Sequence, residues 1–270
     1  EHEIFARAFV VAGNAVETPR LLLMSASSRF PNGLANSSGL VGKYFMDHLN
    51  VSMSAVFSEW LEPWRGPMAG GHLEDFYATD KRNSFARGWT TEVNNGHQWP
   101  LAVALGERGW GAEHKRQMKR LVGHGVGLAT VGEQLPDIRN QVMLDPAQKD
   151  HLGLPVPRII NEPRDNDQAM CKAIEQHLHA LLSASGATEV SLTEYGPGRS
   201  LHYMGSCRMG KDPRTAVVNP WCATHDVSNL FIGDGSVFVT GAAVNPTLTI
   251  AALATRTSEH IVMAFKRGEI

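Results

Sequence analysis

Asn229-Leu230-Phe231-Ile232-Gly233-Asp234-Gly235-Ser236 is a short apolar run closed by Gly-Asp-Gly. Three consecutive apolar residues ahead of a glycine read as a buried strand. A strand that ends in Gly-Asp lets backbone approach a ligand closely and offers one carboxylate to its hydroxyls. This is how an α/β sheet builds a binding crevice at the carboxyl end of a strand, so an α/β ending is expected here.

Chemistry-bearing residues flank this strand on both sides. Upstream lies Leu201-His202-Tyr203-Met204-Gly205-Ser206-Cys207-Arg208-Met209-Gly210. A histidine in such a glycine-containing loop titrates near neutrality and can act as a general base. Downstream, Val244-Asn245-Pro246-Thr247-Leu248-Thr249 opens a helix whose apolar face is Ile250, Leu253, Ala254, Thr257 and Ile261. Asn245 is expected as its cap and Pro246 as its first helical residue. The free N–H groups at Thr247 and Leu248 then favour negative charge placed before them. Taken singly, each piece has a plainer reading. Such a histidine is usually structural, Gly-Asp-Gly is often a turn, and Asn-Pro is a common helix start.

The chain begins with a comparable unit. Ile4 to Gly13 runs into a buried-type strand, Gly13-Asn14 makes a turn, and Thr18-Pro19-Arg20 is expected to start a helix with Leu21 to Met24 as its buried face. Arg29 to Gly39 is a loop rich in Gly, Pro, Asn and Ser. Asn50 to Phe57 reads as a strand. Trp60 to Gly96 suits antiparallel strands joined by turns. Met118 to Val131 is ambiguous, with glycines at 123, 125 and 127 arguing against a helix. Gln141–Leu144 and Pro155–Ile160 read as two strands with a turn at Asp145-Pro146. An amphipathic helix follows, capped by Asp165 or Asn166, with Met170, Ile174, Leu178, Leu181 and Leu182 inward and Gly186 as its stop.

Bulk properties exclude several classes of function. The 270 residues carry a formal charge of −2 without a Lys/Arg-rich run, so nucleic acid is not an expected partner. No apolar segment reaches the roughly 18–20 residues of a membrane span. Glu1-His2-Glu3 shows neither an initiator Met nor a secretory signal, which suggests a processed or fragment end. The localisation is left between cytoplasm and periplasm for a soluble protein. Three cysteines, Cys171, Cys207 and Cys222, lack metal or haem spacing and are expected as reduced core thiols. No metal site is expected among the histidines. His48 and His225 lack suitable partners, and His177 and His179 face different sides of a helix.

Four stretches in order resemble the glucose–methanol–choline (GMC) oxidoreductase family. Ala12 to Leu22 is similar to its Gly-Ala-x-x-Thr-Pro-x-Leu-Leu signature, with Asn14 where a small residue is usual. Val41 to His48 resembles its Val-Gly-x-x-x-x-Asp-His segment. His202 to Met209 resembles its His-x-x-Gly-Ser/Thr-x-x-Met block, and Gly233-Asp234-Gly235-Ser236 with Asn245-Pro246-Thr247 completes the set. The likeness is weaker from Asn50 to Val190.

The resemblance implies α/β plus α+β architecture: the C-terminal part of a GMC-type FAD-binding domain with a mainly antiparallel-sheet substrate domain inserted. Residues 1–48 and 193–270 would belong to the FAD domain and 49–192 to the substrate domain. It implies FAD as cofactor, with His202 and Asn245 as the catalytic pair. Gly13, Asn14, Gly233, Asp234, Pro246 and Thr247 would contact the flavin, and Asp234 would meet its sugar-alcohol chain. The implied reaction is oxidation of a hydroxyl-bearing carbon, on a sugar or glycoside in preference to a simple alcohol, by hydride transfer to flavin N5.

One family element has no counterpart. The phosphate-binding Gly-x-Gly-x-x-Gly is missing, since Gly66 to Gly71 follows a Trp/Pro loop instead of a strand. The favoured explanation is a split or nicked enzyme in which a second polypeptide supplies the FAD-phosphate segment. A truncated chain, or a non-catalytic chain that completes or regulates a flavoprotein complex, are the alternatives.

Trp60, Trp64, Trp89, Trp99 and Trp110 are expected mostly in the core, with one or two at most meeting substrate. Arg65, Glu74, Asp75 and His97 are weighed as substrate contacts, with solvated strand edges as the plainer reading. Cys207 is expected to pack against the flavin domain, and Arg208 is left unassigned.

Overall fold

The chain is seen in a computed structural model that describes residues 2–67, 69–94, 100–198 and 200–270. His97 and Trp99 lie outside the described residues. At the N-terminus, β1 (Phe9–Val11) pairs in parallel with β9 (Leu230–Ile232), Phe9 opposite Leu230 and Val11 opposite Ile232. The strand expected at Asn229–Ser236 is therefore present and buried. Its partner is not buried as expected: Val10 is 56% exposed, because none of the described residues covers it on the outer face of the pair.

Helix α1 (Asn14–Met24) begins four residues earlier than Thr18, and Pro19 lies inside it. Asn14 accounts for the early start, adopting φ +65° and accepting the Val16 N–H at 2.8 Å through Oδ1. Pro19 has no N–H to give to the carbonyl four residues back. That carbonyl, Ala15, instead accepts the Ser206 hydroxyl at 2.9 Å. A proline that would weaken an isolated helix here opens a tie to the distant His202–Met209 block. Of the expected apolar face, Leu22 is buried and Leu21 is exposed.

The middle of the chain forms a five-stranded antiparallel sheet, in the order β3-β4-β5-β2-β8. Its strands are β2 (Asn50–Val56), β3 (Ala69–Leu73), β4 (Trp89–Asn94), β5 (Gly125–Gly132) and β8 (Glu189–Gly196). The ambiguous Met118–Val131 segment resolves into the end of α3 (Gly111–Leu121) and β5, as its glycines argued. A shorter helix, α2 (Pro100–Gly106), precedes α3. One face of the sheet is covered by α4 (Asp165–Ala184), whose Met170, Ile174, Leu178 and Leu182 pack on Val51, Met53, Ala55 and Leu128. The α4 cap is Arg164. Asp167, three residues on, accepts its backbone N–H at 3.0 Å, while Asn166 is engaged with the Ala86 N–H. Gly186 ends the segment at φ +91°, a region that favours glycine.

The hairpin of β6 (Gln141–Lys149) and β7 (Pro155–Ile160) turns later than expected. Asp145-Pro146 lies within β6 at a register shift, and Asp150 to Leu154 makes the turn. Arg20 of α1 anchors the hairpin through the Pro155 carbonyl and the Asp150 carboxylate.

Residues 43–49 join these parts. Met46 exchanges both backbone hydrogen bonds with Met204 at 2.9 Å, and Leu49 does the same with Gly132 at 2.8 and 2.9 Å. Gly42 permits the entry to this segment. It has φ +86°, and a Cβ there would lie 2.1 Å from the Val142 carbonyl oxygen. Helix α5 (Thr247–Lys266) closes the chain.

Candidate active site

The His202–Met209 block is stitched onto the strand end that follows it. Gly205 N–H donates to Gly235 O, Cys207 N–H to Ser236 O, and Met209 N–H to Val237 O. His202 is therefore held on the same body as Gly233-Asp234. Its ring is half-buried, with Nε2 lying 3.5 Å from Asn245 Nδ2. Its Nδ1 faces Nδ1 of His48 at 3.0 Å, the two rings meeting edge-on at 83°.

Asn245 is not the cap of α5. Pro246 occupies that position with helical φ −84°, and the Asn245 side chain turns to His202 instead. The loop before it is pinned from the sheet side. Thr90 donates to the Ala243 carbonyl at 2.8 Å, His48 Nε2 contacts the Ala242 carbonyl at 2.8 Å, and the Glu133 carboxylate meets the Ala242 N–H. Residues far apart in sequence thus set where Asn245 stands.

Asp47 organises the other side. It is fully buried; Oδ1 accepts the backbone N–H groups of His48 and His202, both at 2.9 Å, and Oδ2 accepts that of Gly198 at 3.0 Å. Burial pushes its pKa up, and those N–H donors pull it back down. Burial likewise lowers the pKa of His202, against the nearby charges of Asp47 and Glu92. A neutral, proton-accepting His202 is the state this environment favours near neutral pH.

His48 is more extreme: burial drives its pKa down to about 4. The titratable groups that face it are His202 and Asp47. A histidine with a depressed folded value gives stability that is complete above its unfolded pKa near 6.5 and is lost as pH falls through the folded one. The expected loss between pH 6.5 and 4 is roughly 3 kcal/mol. Asp47, Glu133 and Asp167, with carboxyl pKa values raised by burial, give the opposite slope. Denaturant melts of wild type and His48→Asn at pH 7 and pH 4.5 separate the terms. The wild type should lose more on acidification, and equal losses in both count against the assignment.

The strand-end residues form a second group. Gly13 and Asn14 follow β1, Gly233 and Asp234 follow β9, and Gly233 N–H donates to Val11 O at 2.8 Å. Asp234 is already engaged, with Oδ1 accepting Ser236 N–H at 2.8 Å and Oδ2 accepting the Thr18 hydroxyl, which in turn accepts Gly13 N–H at 2.9 Å. A Cβ on Gly233 would sit 3.3 Å from Val10, and one on Gly235 3.0 Å from the Tyr203 carbonyl. Backbone and one carboxylate are thus the groups offered at the carboxyl end of a parallel pair. Pro246 is buried, whereas Thr247 and Leu248 are exposed in the first turn of α5, where N–H groups have no intrahelical acceptor. This donor set fits the pyrimidine edge of a flavin, which gains negative charge on reduction.

Several other expectations can be placed. Cys171, Cys207 and Cys222 are buried and free. Cys207 packs in the core with Met46, Met204 and Ile232. Arg208 stacks its guanidinium 4.3 Å over the Tyr44 ring. Among the described tryptophans Trp89 alone is in the core, stacked on Phe76, whereas Trp60, Trp110 and Trp221 are exposed and Trp64 is half-buried, so the expectation of mostly core tryptophans is corrected. Arg65 and Glu74 pair at the surface with Glu62 and His72, and Asp75 is exposed, as the plainer reading had them. Sequence reasoning quoted Asp47-His48 without a role and missed Thr90 and Glu133.

A family model described as GMC oxidoreductase matches residues 136–254. A 2-methyl-1,2-propanediol dehydrogenase of Mycolicibacterium austroafricanum is 40% identical over 98% of this chain and 49% of its own length. The fructose dehydrogenase large subunit of Gluconobacter japonicus is 34% identical over 99% of this chain and 49% of its own. The chain spans about half the length of the curated relatives it matches. Among solved structures, a formate oxidase of Aspergillus oryzae RIB40 aligns with a TM-score of 0.64 at 14% identity, over 96% of this chain and 55% of that one. That last similarity is one of fold.

Proposed function

This chain belongs to the GMC oxidoreductase family, as its C-terminal part, and from that premise we propose that it bears the catalytic residues for FAD-dependent oxidation of a hydroxyl-bearing carbon. The observation that carries the reading is the facing pair itself: His202 Nε2 and Asn245 Nδ2, 3.5 Å apart. A hydroxyl placed between them gives its proton to His202 Nε2 and accepts a hydrogen bond from the Asn245 amide. FAD, when bound, supplies at N5 the acceptor for the hydride that leaves the same carbon. The substrate thus loses one proton and one hydride and becomes a carbonyl compound. Asp47 and Glu92 offset the charge that His202 gains.

In this reading, the boundary expected at 192 moves to the end of β8, so residues 1–48 and 197–270 hold the flavin and 49–196 face the substrate. Gly13, Asn14, Gly233 and Asp234 meet the cofactor at the strand ends, and Pro246 and Thr247 meet its ring. The substrate is a polyhydroxylated compound, a sugar or glycoside. In support, the sheet face opposite α4 carries a cleft of about 330 Å³ lined by Asn50, Ser52, Ser54, Asn94, Thr193 and Glu194. Asn50 and Ser52 are hydrogen-bonded within it to the Glu194 carboxylate or to each other, a surface suited to hydroxyl groups.

The flavin grip is shared with a second polypeptide segment packed on β1 and α5. Val10, Leu248, Val262, Met263 and Phe265 are large apolar side chains left exposed there, and a parallel strand pair is ordinarily covered on both faces. Anaerobic titration of the native, flavin-containing protein with a panel of sugars, glycosides, diols and simple alcohols tests the reading. Bleaching of flavin absorbance by polyhydroxylated members is expected. Bound flavin that no member bleaches would favour a non-catalytic chain completing a flavoprotein.

A further inference from the structure

Which nitrogen of His202 carries its proton decides whether the residue can act as a base, and the hydrogen-bond partners around the ring settle it. Ala242 contributes a carbonyl, which only accepts. His48 Nε2, 2.8 Å from that oxygen, must therefore bear a hydrogen. With its pKa near 4, His48 is neutral at physiological pH, so its Nδ1 is a bare lone pair. His202 Nδ1 lies 3.0 Å from that lone pair and must be the donor. The remaining nitrogen of His202, Nε2, is then unprotonated. It faces Asn245 Nδ2, a donor, which is the complement a lone pair requires.

We propose that His48 is a positioning residue: through the chain Ala242 carbonyl, His48, His202 it selects the Nδ1–H tautomer of His202 and leaves Nε2 free to take the substrate proton. The inference rests on the reading of His202 as the base. A free neutral histidine favours the opposite tautomer, with its proton on Nε2, so the selection must come from the fold. The anchor is rigid. His48 is fully buried, its backbone N–H is held by Asp47, its own carbonyl accepts the Ser200 hydroxyl at 2.8 Å, and the Ala242 peptide is held at its N–H by Glu133. Ala242 adopts φ +54°, a left-handed conformation that orients its carbonyl toward His48.

The direct test needs no substitution. Nitrogen-15 shifts of the His202 ring, measured at pH 8 in histidine-labelled, flavin-loaded protein, should show Nδ1 protonated and Nε2 bare. The reverse pattern overturns the proposal. In His48→Phe, which removes the acceptor, His202 should move toward the Nε2–H tautomer and flavin reduction should slow by about 10- to 100-fold with little change in substrate affinity. His48→Asn, which keeps an acceptor near the Nδ1 position, should recover most of the rate. A slow His48→Phe that retains the Nδ1–H tautomer overturns the proposal, as does a His48→Phe with the wild-type rate. His202→Ala is the control for the underlying reading. If it reduces flavin at the wild-type rate, His202 is not the base, whereas the tautomer is read independently from the shifts.

Discussion

His202→Ala is expected to slow substrate-driven flavin reduction by about 10²–10⁴-fold while flavin stays bound. The size follows from removing the single group placed to take the hydroxyl proton, opposite Asn245 at 3.5 Å. Retention of flavin is expected because the strand-end glycines, Asp234 and the α5 N-terminus are untouched. The fold should also survive. The Asp47 contact to residue 202 is made through the backbone N–H and persists in alanine, leaving the His48 lone pair without its donor and the exposed Asn245 amide without its acceptor. Anaerobic stopped-flow measurement, with the flavin-to-protein ratio as control, checks both halves.

The wild-type pH profile adds a sign. In the proposed reaction the active form of His202 is neutral, and burial lowers its pKa, so the rate should fall as pH drops through a value below the usual 6.5. A full-rate alanine variant, or an acid limb above that value, would remove His202 from the proton transfer.

The sequence exposes those parts of the site whose chemistry is local. His202, Asn245 and the Gly-Asp strand end can be picked out because residue type and order carry the signal. The α4 face can be read because its apolar spacing repeats from Met170 to Leu182. Asn245 shows the limit of that reading. Asn-Pro before an apolar helix fits a cap, and nothing within ten residues reveals that His202 lies across from it. Pro19 errs in the same way: its missing N–H looks like a helix start until Ser206, far along the chain, is seen to bond the vacated carbonyl.

Thr90, Glu133 and His48 have no local periodicity to betray them. Their partners, Ala243, Ala242 and His202, are more than a hundred residues away, and only the sheet brings them together. Two signals were available in retrospect. Asp47-His48 stands beside a glycine that its surroundings force, Gly42, and a charged residue next to a histidine in an apolar segment needs partners when buried. The exposed outer face of β1 is a different kind of miss. An apolar run predicts burial without saying what provides the cover.

Asp47 is the residue on which both histidine segments depend, and substituting it should separate fold from chemistry. Alanine would remove the acceptor of three N–H groups, that of His48 buried and those of Gly198 and His202 part-buried, at roughly 1–3 kcal/mol for each that stays unpaired. Part of that is offset because the carboxylate is itself costly to bury, as its raised pKa shows. The net loss expected for Asp47→Ala is about 3–5 kcal/mol.

Asparagine keeps Oδ1, the atom that serves both histidine segments, and loses only the acceptor for Gly198. Asp47→Asn should therefore cost about 1–3 kcal/mol and still fold. Its pH dependence identifies the group. A raised folded pKa means the stability from Asp47 is complete below the unfolded value and is lost as pH rises through the folded one. Asparagine does not titrate, so the deficit against wild type should be larger in acid than at neutral pH. Denaturant melts across that range measure it.

The charge of Asp47 also raises the pKa of His202, so removing it should move the acid limb of flavin reduction to lower pH and lower the plateau rate, because a weaker base accepts the proton less readily. If Asp47→Asn left both the melt and the acid limb where they are in wild type, Asp47 would be neither the clamp nor the electrostatic support. A melt that shifts without any movement of the limb would assign it to the fold alone.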